Sequence, residues 1–267
     1  MIDWQAFLVA LMALSAFGVG GWFVSLEKKD VSIVDSMWSV MFIIAAGCYL
    51  LFANDVSTRA IVVMALVSIW GLRLATYITW RNWGEEEDAR YQAIRRNNSP
   101  GFEWKSLYIV FGLQAGLAWL ISLPLLAAIN GSNPLNVLDV AGVAVWLLGF
   151  FFESVGDLQL ARFKADPDNE GKVMDRGLWR YTRHPNYFGD FCVWWGFYLI
   201  ALAAGGWWTI IAPLLMSFLL LKVSGVAMLE KDISDRRPKY ADYIERTNAF
   251  FPGPPKDAAK DKEGATA

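Results

Sequence analysis

The chain has 267 residues, 55% of them hydrophobic and 19% charged, with 24 Lys and Arg against 26 Asp and Glu. Soluble domains run nearer roughly 45–50% apolar, and here the charges gather in short stretches between long apolar runs, which excludes a soluble enzyme, a disordered chain and a secreted disulfide scaffold. The net charge of −2 gives nucleic acid no electrostatic footing, and Cys48 and Cys192 each lie in an apolar run, as free thiols do.

A bilayer core about 30 Å thick takes about 20 helical residues. Seven segments are expected to cross it: Trp4–Leu26, Ser32–Ala53, Ala60–Trp80, Ser106–Ile129, Val137–Ala161, Asp190–Ala204 and Trp207–Leu229. The first has no Arg/Lys-rich start and no small-residue cleavage site before Glu27, so it reads as a retained helix rather than a signal peptide. Gly205-Gly206 reads as a tight turn between the sixth and seventh. Residues 1–255 form one seven-helix domain on this reading, and 256–267 a polar, disordered tail.

Charge sorting orients the bundle. The connections after the first, third and fifth segments, with the C-terminal tail, hold 21 of the 24 Lys and Arg; the opposite side holds Arg59. One-sided loading of this kind places the N-terminus outside and the C-terminus in the cytoplasm.

A charge inside a span costs at least about 2.5–3.5 kcal/mol near its middle, so it needs a partner or a task. Asp35 and Trp38 share a face of the second span; Arg73 and Tyr77 form an i,i+4 pair in the third; Glu153 and Asp157 form another in the fifth, with Lys164 two turns on. Lys222 lies in the seventh. Ion pairs within the bilayer and snorkelling toward water would account for such groups; a site that uses them would account for three spans pointing charge inward together.

The densest polar run is Arg176-Gly-Leu-Trp-Arg180-Tyr181-Thr-Arg183-His184-Pro-Asn186-Tyr187-Phe-Gly189-Asp190, which contains the only His of the chain. Arg forks suit phosphate and aromatic rings can stack, so the run could hold a phosphate-bearing aromatic cofactor at a membrane surface. A basic patch meeting anionic lipid would explain the Arg but not Asn186 and Asp190. One His and two separated Cys give no His- or Cys-based metal site. Neither a GxGxxG after a strand nor a GxxxxGK[ST] is present, so any dinucleotide must be held by helices and loops.

At these residues the chain resembles the membrane-embedded steroid 5α-reductase and sterol-reductase superfamily. Arg183-His184-Pro-Asn186-Tyr187-Phe-Gly189-Asp190 is similar to the RHxNYxGD element of the sterol C14-reductases, and Asp157 with Lys164 resembles the family's aspartate and basic residue at the end of the fifth helix. Arg73 with Tyr77 is similar to the Arg and Tyr of the third helix of the steroid 5α-reductases, and Tyr243–Pro252 looks like their closing segment. The bacterial branch shares Asp35-Ser-Met-Trp38 and Glu87-Asp88-Ala-Arg90-Tyr91. The resemblance implies a multi-pass protein of a bacterial inner membrane, holding NADPH on its cytosolic side and reducing a flat hydrophobic enone, with a 3-oxo-Δ4 steroid as leading substrate class. It carries cofactor contacts onto Arg73, Tyr77, Arg81, Asp157, Lys164, Arg176, Tyr181, His184, Asn186, Tyr187 and Asp190. Asn186 would meet the nicotinamide carboxamide, and Lys164 and Arg176 the phosphates. Asp35, with Trp38 beside it, would take the catalytic, substrate-polarising place of a glutamate. Val34-Asp35 replaces a Gln-Glu pair, and Trp70 stands where those enzymes have a Tyr.

An isoprenylcysteine-type carboxyl methyltransferase using S-adenosylmethionine is the alternative, because those proteins share an RHPxYxG element. Asn186 and Asp190 favour the reductase, as does Met228-Leu-Glu230-Lys231, which has one Glu where the methyltransferases tend to have a pair. The expected partners are the lipid bilayer and a hydrophobic small molecule, with no obligatory protein partner.

Overall fold

The computed structural model describes residues 3–223 and 239–256, and among them helices and turns form the whole architecture, with no strand. Helix α1 (Trp4–Lys28) starts where Asp3 accepts the Ala6 amide at 3.0 Å and stops at Lys29, which takes a left-handed φ of 56°. After a short connection follow α2 (Ile33–Leu51) and α3 (Thr58–Asn82), the latter capped by Ser57 on the Ala60 amide at 3.1 Å. Both caps satisfy N–H groups that a helix start leaves without intrahelical partners. A short amphipathic helix, α4 (Ala89–Asn97), begins at Asp88, whose carboxylate accepts the Arg90 amide at 2.9 Å.

The next long element, Phe102–Ile129, is one apolar rod in four pieces. Helix α5 (Phe102–Ser106) runs into a π-helical turn at Leu107–Gly112, then into α6 (Leu113–Ile121) and, past Ser122, into α7 (Leu123–Ile129) with Pro124 in its first turn. Proline is tolerated there because its missing N–H falls among donors that are free in any case. Then come α8 (Val137–Ala165), α9 (Pro185–Ala203), α10 (Ile211–Phe218) and α11 (Lys239–Arg246).

Among the described residues, five helical elements are long and apolar enough to cross a membrane: α1, α2, α3, the Phe102–Ile129 rod and α8. The expected sixth segment, Asp190–Ala204, lies in α9, which starts earlier, at Pro185, and so takes in the polar Asn186 and Tyr187. The seventh is helical over Trp207–Val223, shorter than the others; residues 224–229 and the Met228–Lys231 comparison lie outside the described residues.

Contacts divide the chain into two compact units. The first comprises Met1–Asp139 with Phe197–Ala212, the second Val140–Gly196 with Pro213–Ala267. In the first, α2 packs against α1, α3, α6 and α7. Ser39 and Gly71 let α2 and α3 approach closely: the Ser39 hydroxyl donates to Gly71 O at 2.8 Å, and a Cβ at Gly71 would lie 3.0 Å from Ser39 O. Arg59, the opposite-side cation of the charge count, is 2% exposed and fully engaged. Its Nε and Nη2 meet the two Asp139 oxygens at 2.7 and 2.9 Å, and its Nη atoms reach Asn133 O and Pro134 O at 2.8 and 3.0 Å.

In the second unit, α8 and α9 share a glycine seam. A Cβ at Gly189 would fall 2.4 Å from Glu153 N and 2.6 Å from Gly149 O, and one at Gly196 2.8 Å from Gly142 O. Glycines recurring every seven residues on both helices keep one narrow face toward the other, the arrangement that lets apolar helices gain van der Waals contact without hydrophobic driving force.

Candidate functional site

In the first unit the sequence-flagged groups on α3 form a stripe. Arg73 and Tyr77 are half-buried and Arg81 is exposed, each one turn after the last. The Arg81 guanidinium lies 5.8 Å from the Tyr77 ring centroid, and its Nε donates to Asn82 Oδ1 at 3.0 Å. Trp38 on α2 meets Phe42 edge-on at 5.1 Å, and Phe42 meets Trp70 at 5.8 Å. Phe42 and Trp70 are fully buried, so Trp70 fills core at the position where the resembled enzymes carry a Tyr.

Asp35 is engaged on both oxygens. Oδ1 accepts the Tyr91 hydroxyl at 2.6 Å and Oδ2 accepts Arg90 Nη2 at 2.7 Å. Arg90 also forks onto Asp88, with Nε to Oδ1 at 2.9 Å and Nη2 to Oδ2 at 3.0 Å. Helix α4 is further tied down by Glu87, which accepts the Val31 amide at 2.9 Å and both Arg95 donors at 2.7 and 2.9 Å. The Tyr91 ring is buried in a cluster with Trp22, Val31, Val34, Phe102, Val110 and Phe111. Burial and the neighbouring Asp35 charge push the Tyr91 phenol well above the ordinary tyrosine range. Burial opposes the charges of Glu87 and Asp88, but the Arg95 and Arg90 donors outweigh it and hold both carboxyls below their usual range. The two motifs Asp35-Ser-Met-Trp38 and Glu87-Asp88-Ala-Arg90-Tyr91 thus form one polar cluster. The sequence alone assigns Arg90 and Tyr91 no role; the alternation of charge and aromatic at the start of α4 is the available signal.

In the second unit Pro185 opens α9, so the Asn186–Asp190 stretch is helix rather than a loop leading to one. Asn186 and Asp190 consequently share a face. Asn186 Nδ2 donates to Asp157 Oδ1 at 3.2 Å, while the Tyr187 amide donates to Asn186 Oδ1 at 3.1 Å. Asp157 and Glu153 are buried, 5% and 3% exposed, and the His184 ring stacks on Tyr187 at 5.6 Å. Lys164 is exposed at the end of α8, beside a groove of about 430 Å³ lined by Leu160, Phe163 and Met174. Arg176 and Tyr181 are also exposed.

Arg183, part of the same element, does other work. Its amide donates to Asn248 O at 2.9 Å and its guanidinium to Ile244 O, at 3.1 Å, and to Thr247 O. Thr182 donates to Phe250 O at 2.8 Å, and the Tyr243 hydroxyl to Trp179 O. The element is thereby clasped by residues 239–256, which explains why the closing segment of the sequence accompanies it. Among the described residues no group of three or more His, Cys, Asp or Glu could hold a metal ion.

A nucleotide needs neutral hydrogen-bonding partners for its amide and cations for its phosphates. The Asn186–Asp157 pair leaves Asn186 a second amide hydrogen, and Lys164 and Arg176 are exposed cations of the same unit, so these residues fit such a group.

The model of a family described as a protein of unknown function, DUF1295, matches residues 21–247. An uncharacterized protein of Schizosaccharomyces pombe is 26% identical, over 92% of this chain and 79% of its own length. No solved structure matches. With a match across most of its length, the chain belongs to the DUF1295 family.

Proposed function

We propose that the protein is an NADPH-dependent membrane reductase of a conjugated C=C bond, with a 3-oxo-Δ4 steroid as its leading substrate class. The observation that carries this reading is the Asn186–Asp157 hydrogen bond, at 3.2 Å, which ties an RHxNYxGD element, helical from Pro185 onward, to α8. In the same reading the bundle has seven spans, the N-terminus outside, and the positive connections and C-terminus in the cytoplasm of a bacterial inner membrane, where NADPH is available.

NADPH would supply a hydride to the β-carbon of the enone. Asn186, steadied by Asp157, would hold the carboxamide; Lys164 and Arg176 would meet phosphates; Asp190, His184, Tyr187 and Tyr181 complete the proposed cofactor contacts of the second unit, while Arg73, Tyr77 and Arg81 of the first are contacts that the resemblance alone implies. As the β-carbon gains the hydride, negative charge grows on the ketone oxygen, and a hydrogen-bond donor fixed there beforehand lowers the barrier. Asp35 was the sequence-based choice, with Trp38 beside it for the substrate. An ion-paired carboxylate has no hydrogen to give, but the Tyr91 hydroxyl it accepts at 2.6 Å has one. A ketone oxygen that takes that hydrogen in place of Asp35 would be polarised, with Asp35 holding the Tyr91 hydroxyl aimed until the substrate arrives. The α-carbon then takes its proton from water.

The test is NADPH oxidation by the purified protein with an enone present and absent, with methyl transfer from S-adenosylmethionine followed in parallel.

A further inference from the structure

The Glu87-Asp88-Ala-Arg90-Tyr91 motif has no role in cofactor binding as drawn above, yet it makes the densest set of charge-assisted bonds in the first unit. Arg90 stands at its centre. One guanidinium serves two carboxylates: its Nε and Nη2 lie 2.9 and 3.0 Å from the Asp88 oxygens, and the same Nη2 lies 2.7 Å from Asp35 Oδ2. Asp88 is itself fixed, because its Oδ1 caps α4 on the Arg90 amide at 2.9 Å. Next in sequence, Tyr91 has its ring locked by the surrounding apolar cluster, so its freedom is reduced to the direction of its hydroxyl. That hydroxyl points at the other Asp35 oxygen, with the Gln114 side chain beside it.

We propose that Arg90 is a positioning residue: braced by Asp88, it fixes the rotation of the Asp35 carboxylate and hence the direction of the Tyr91 hydroxyl. Its effect on turnover, which rests on the reductase reading above, passes through Asp35 and Tyr91 and needs no contact with cofactor or substrate. Planarity is the physical reason for Arg here. A flat fork can hold one carboxylate with two parallel bonds and a second along its edge, whereas the ammonium of Lys is a point charge on a flexible stem. Lysine would keep the charge balance of the cluster and lose the geometry. Small misplacements of a reacting constellation cost large factors in rate, so orientation and charge are separable here by experiment.

The experiment compares the parent with Arg90→Lys and Arg90→Gln, each also carrying 3-fluorotyrosine at position 91, in lipid nanodiscs. The ¹⁹F spectrum reads the Tyr91 environment without any activity. Steady-state kinetics with a 3-oxo-Δ4 steroid and a direct NADPH titration read the site. The expected result is a single sharp ¹⁹F line in the parent, broadened or split in Arg90→Lys at nearly unchanged melting temperature. NADPH affinity should stay as in the parent while kcat falls about tenfold or more at similar KM. A parental ¹⁹F line in both variants overturns the positioning role, whatever the protein catalyses. Parental kcat in a folded Arg90→Gln protein overturns it as well. A parent with no enone-dependent NADPH oxidation sinks the reductase reading instead, and the ¹⁹F comparison still decides between a fixed and an unfixed Tyr91.

Discussion

Tyr91 donates its phenolic hydrogen to Asp35 at 2.6 Å, joining positions 56 residues apart in the chain. The bond turns an acidic residue in an apolar helix from an isolated cost into half of a donor–acceptor pair. A polar group in such surroundings is tolerated only when its bonds are made, and Arg90 makes the other one.

Replacing Asp35 therefore separates two of its contributions. Asp35→Asn retains an acceptor for Tyr91 and should keep part of the turnover. Asp35→Leu removes it, leaves the Tyr91 hydroxyl without its fixed direction, and should lose turnover by about 10²-fold, the scale of a misplaced reacting group. Because the pair with Arg90 is partly exposed, stability should fall by only about 1–3 kcal/mol in either variant. Kinetics and thermal melts of both proteins check this; full turnover in a well-folded Asp35→Leu protein removes Asp35 from the chemistry.

Cofactor attachment rests on α8 and α9. Asn186→Ala and Asp190→Ala should each weaken NADPH binding by about 0.5–1.5 kcal/mol, a factor of about two to ten, at little cost to the fold. Asp157→Asn should act in the same direction by loosening the Asn186 amide. Direct titration with NADPH reads this, and parental affinity in Asn186→Ala and Asp190→Ala together would remove the element from the cofactor site.

Lys164 is exposed, so its contribution to phosphate binding should be screened by salt. Lys164→Ala is expected to lower NADPH affinity clearly at about 0.01 M ionic strength and little at about 1 M. An equal loss at both strengths would point to a packing role along the groove beside Leu160 and Phe163.

The glycine seam gives a prediction independent of function. Gly189→Val should lower the melting temperature, at a cost of at least about 1–3 kcal/mol, because a Cβ there would lie 2.4 Å from Glu153 N. Gly20→Val is the control, since a Cβ at Gly20 meets nothing within 4 Å. Equal melting temperatures for the two variants would mean that α8 and α9 do not meet along this face.

Much of this was legible in the chain and some was not, for physical reasons. Apolar runs of spanning length announce helices because nothing else satisfies the backbone in lipid. Asn186 beside Asp157 was foreseeable only as motif members, and Pro185 as the first residue of α9 moved the polar element from a loop into the helix. Arg59 read as a stray cation because its partner Asp139 is 80 positions away. The Arg90 partner of Asp35 was hidden for a similar reason: the docking of α4 depends on Glu87 reaching Val31 and on Tyr91 filling a cluster. Those are tertiary contacts with no local periodicity. Likewise the π-helical turn at Leu107–Gly112 leaves no mark in a hydrophobic stretch, whereas the break at Ser122 is marked by Pro124.

One measurement bears most directly on the reductase reading: NADPH consumption by the purified protein in nanodiscs, with and without a 3-oxo-Δ4 steroid, alongside methyl transfer from S-adenosylmethionine. The expected result is steroid-dependent oxidation of NADPH with recovery of a product in which the C=C bond is saturated, and no methyl transfer. Methyl transfer to a prenylated cysteine substrate, with NADPH untouched by every enone offered, would contradict it.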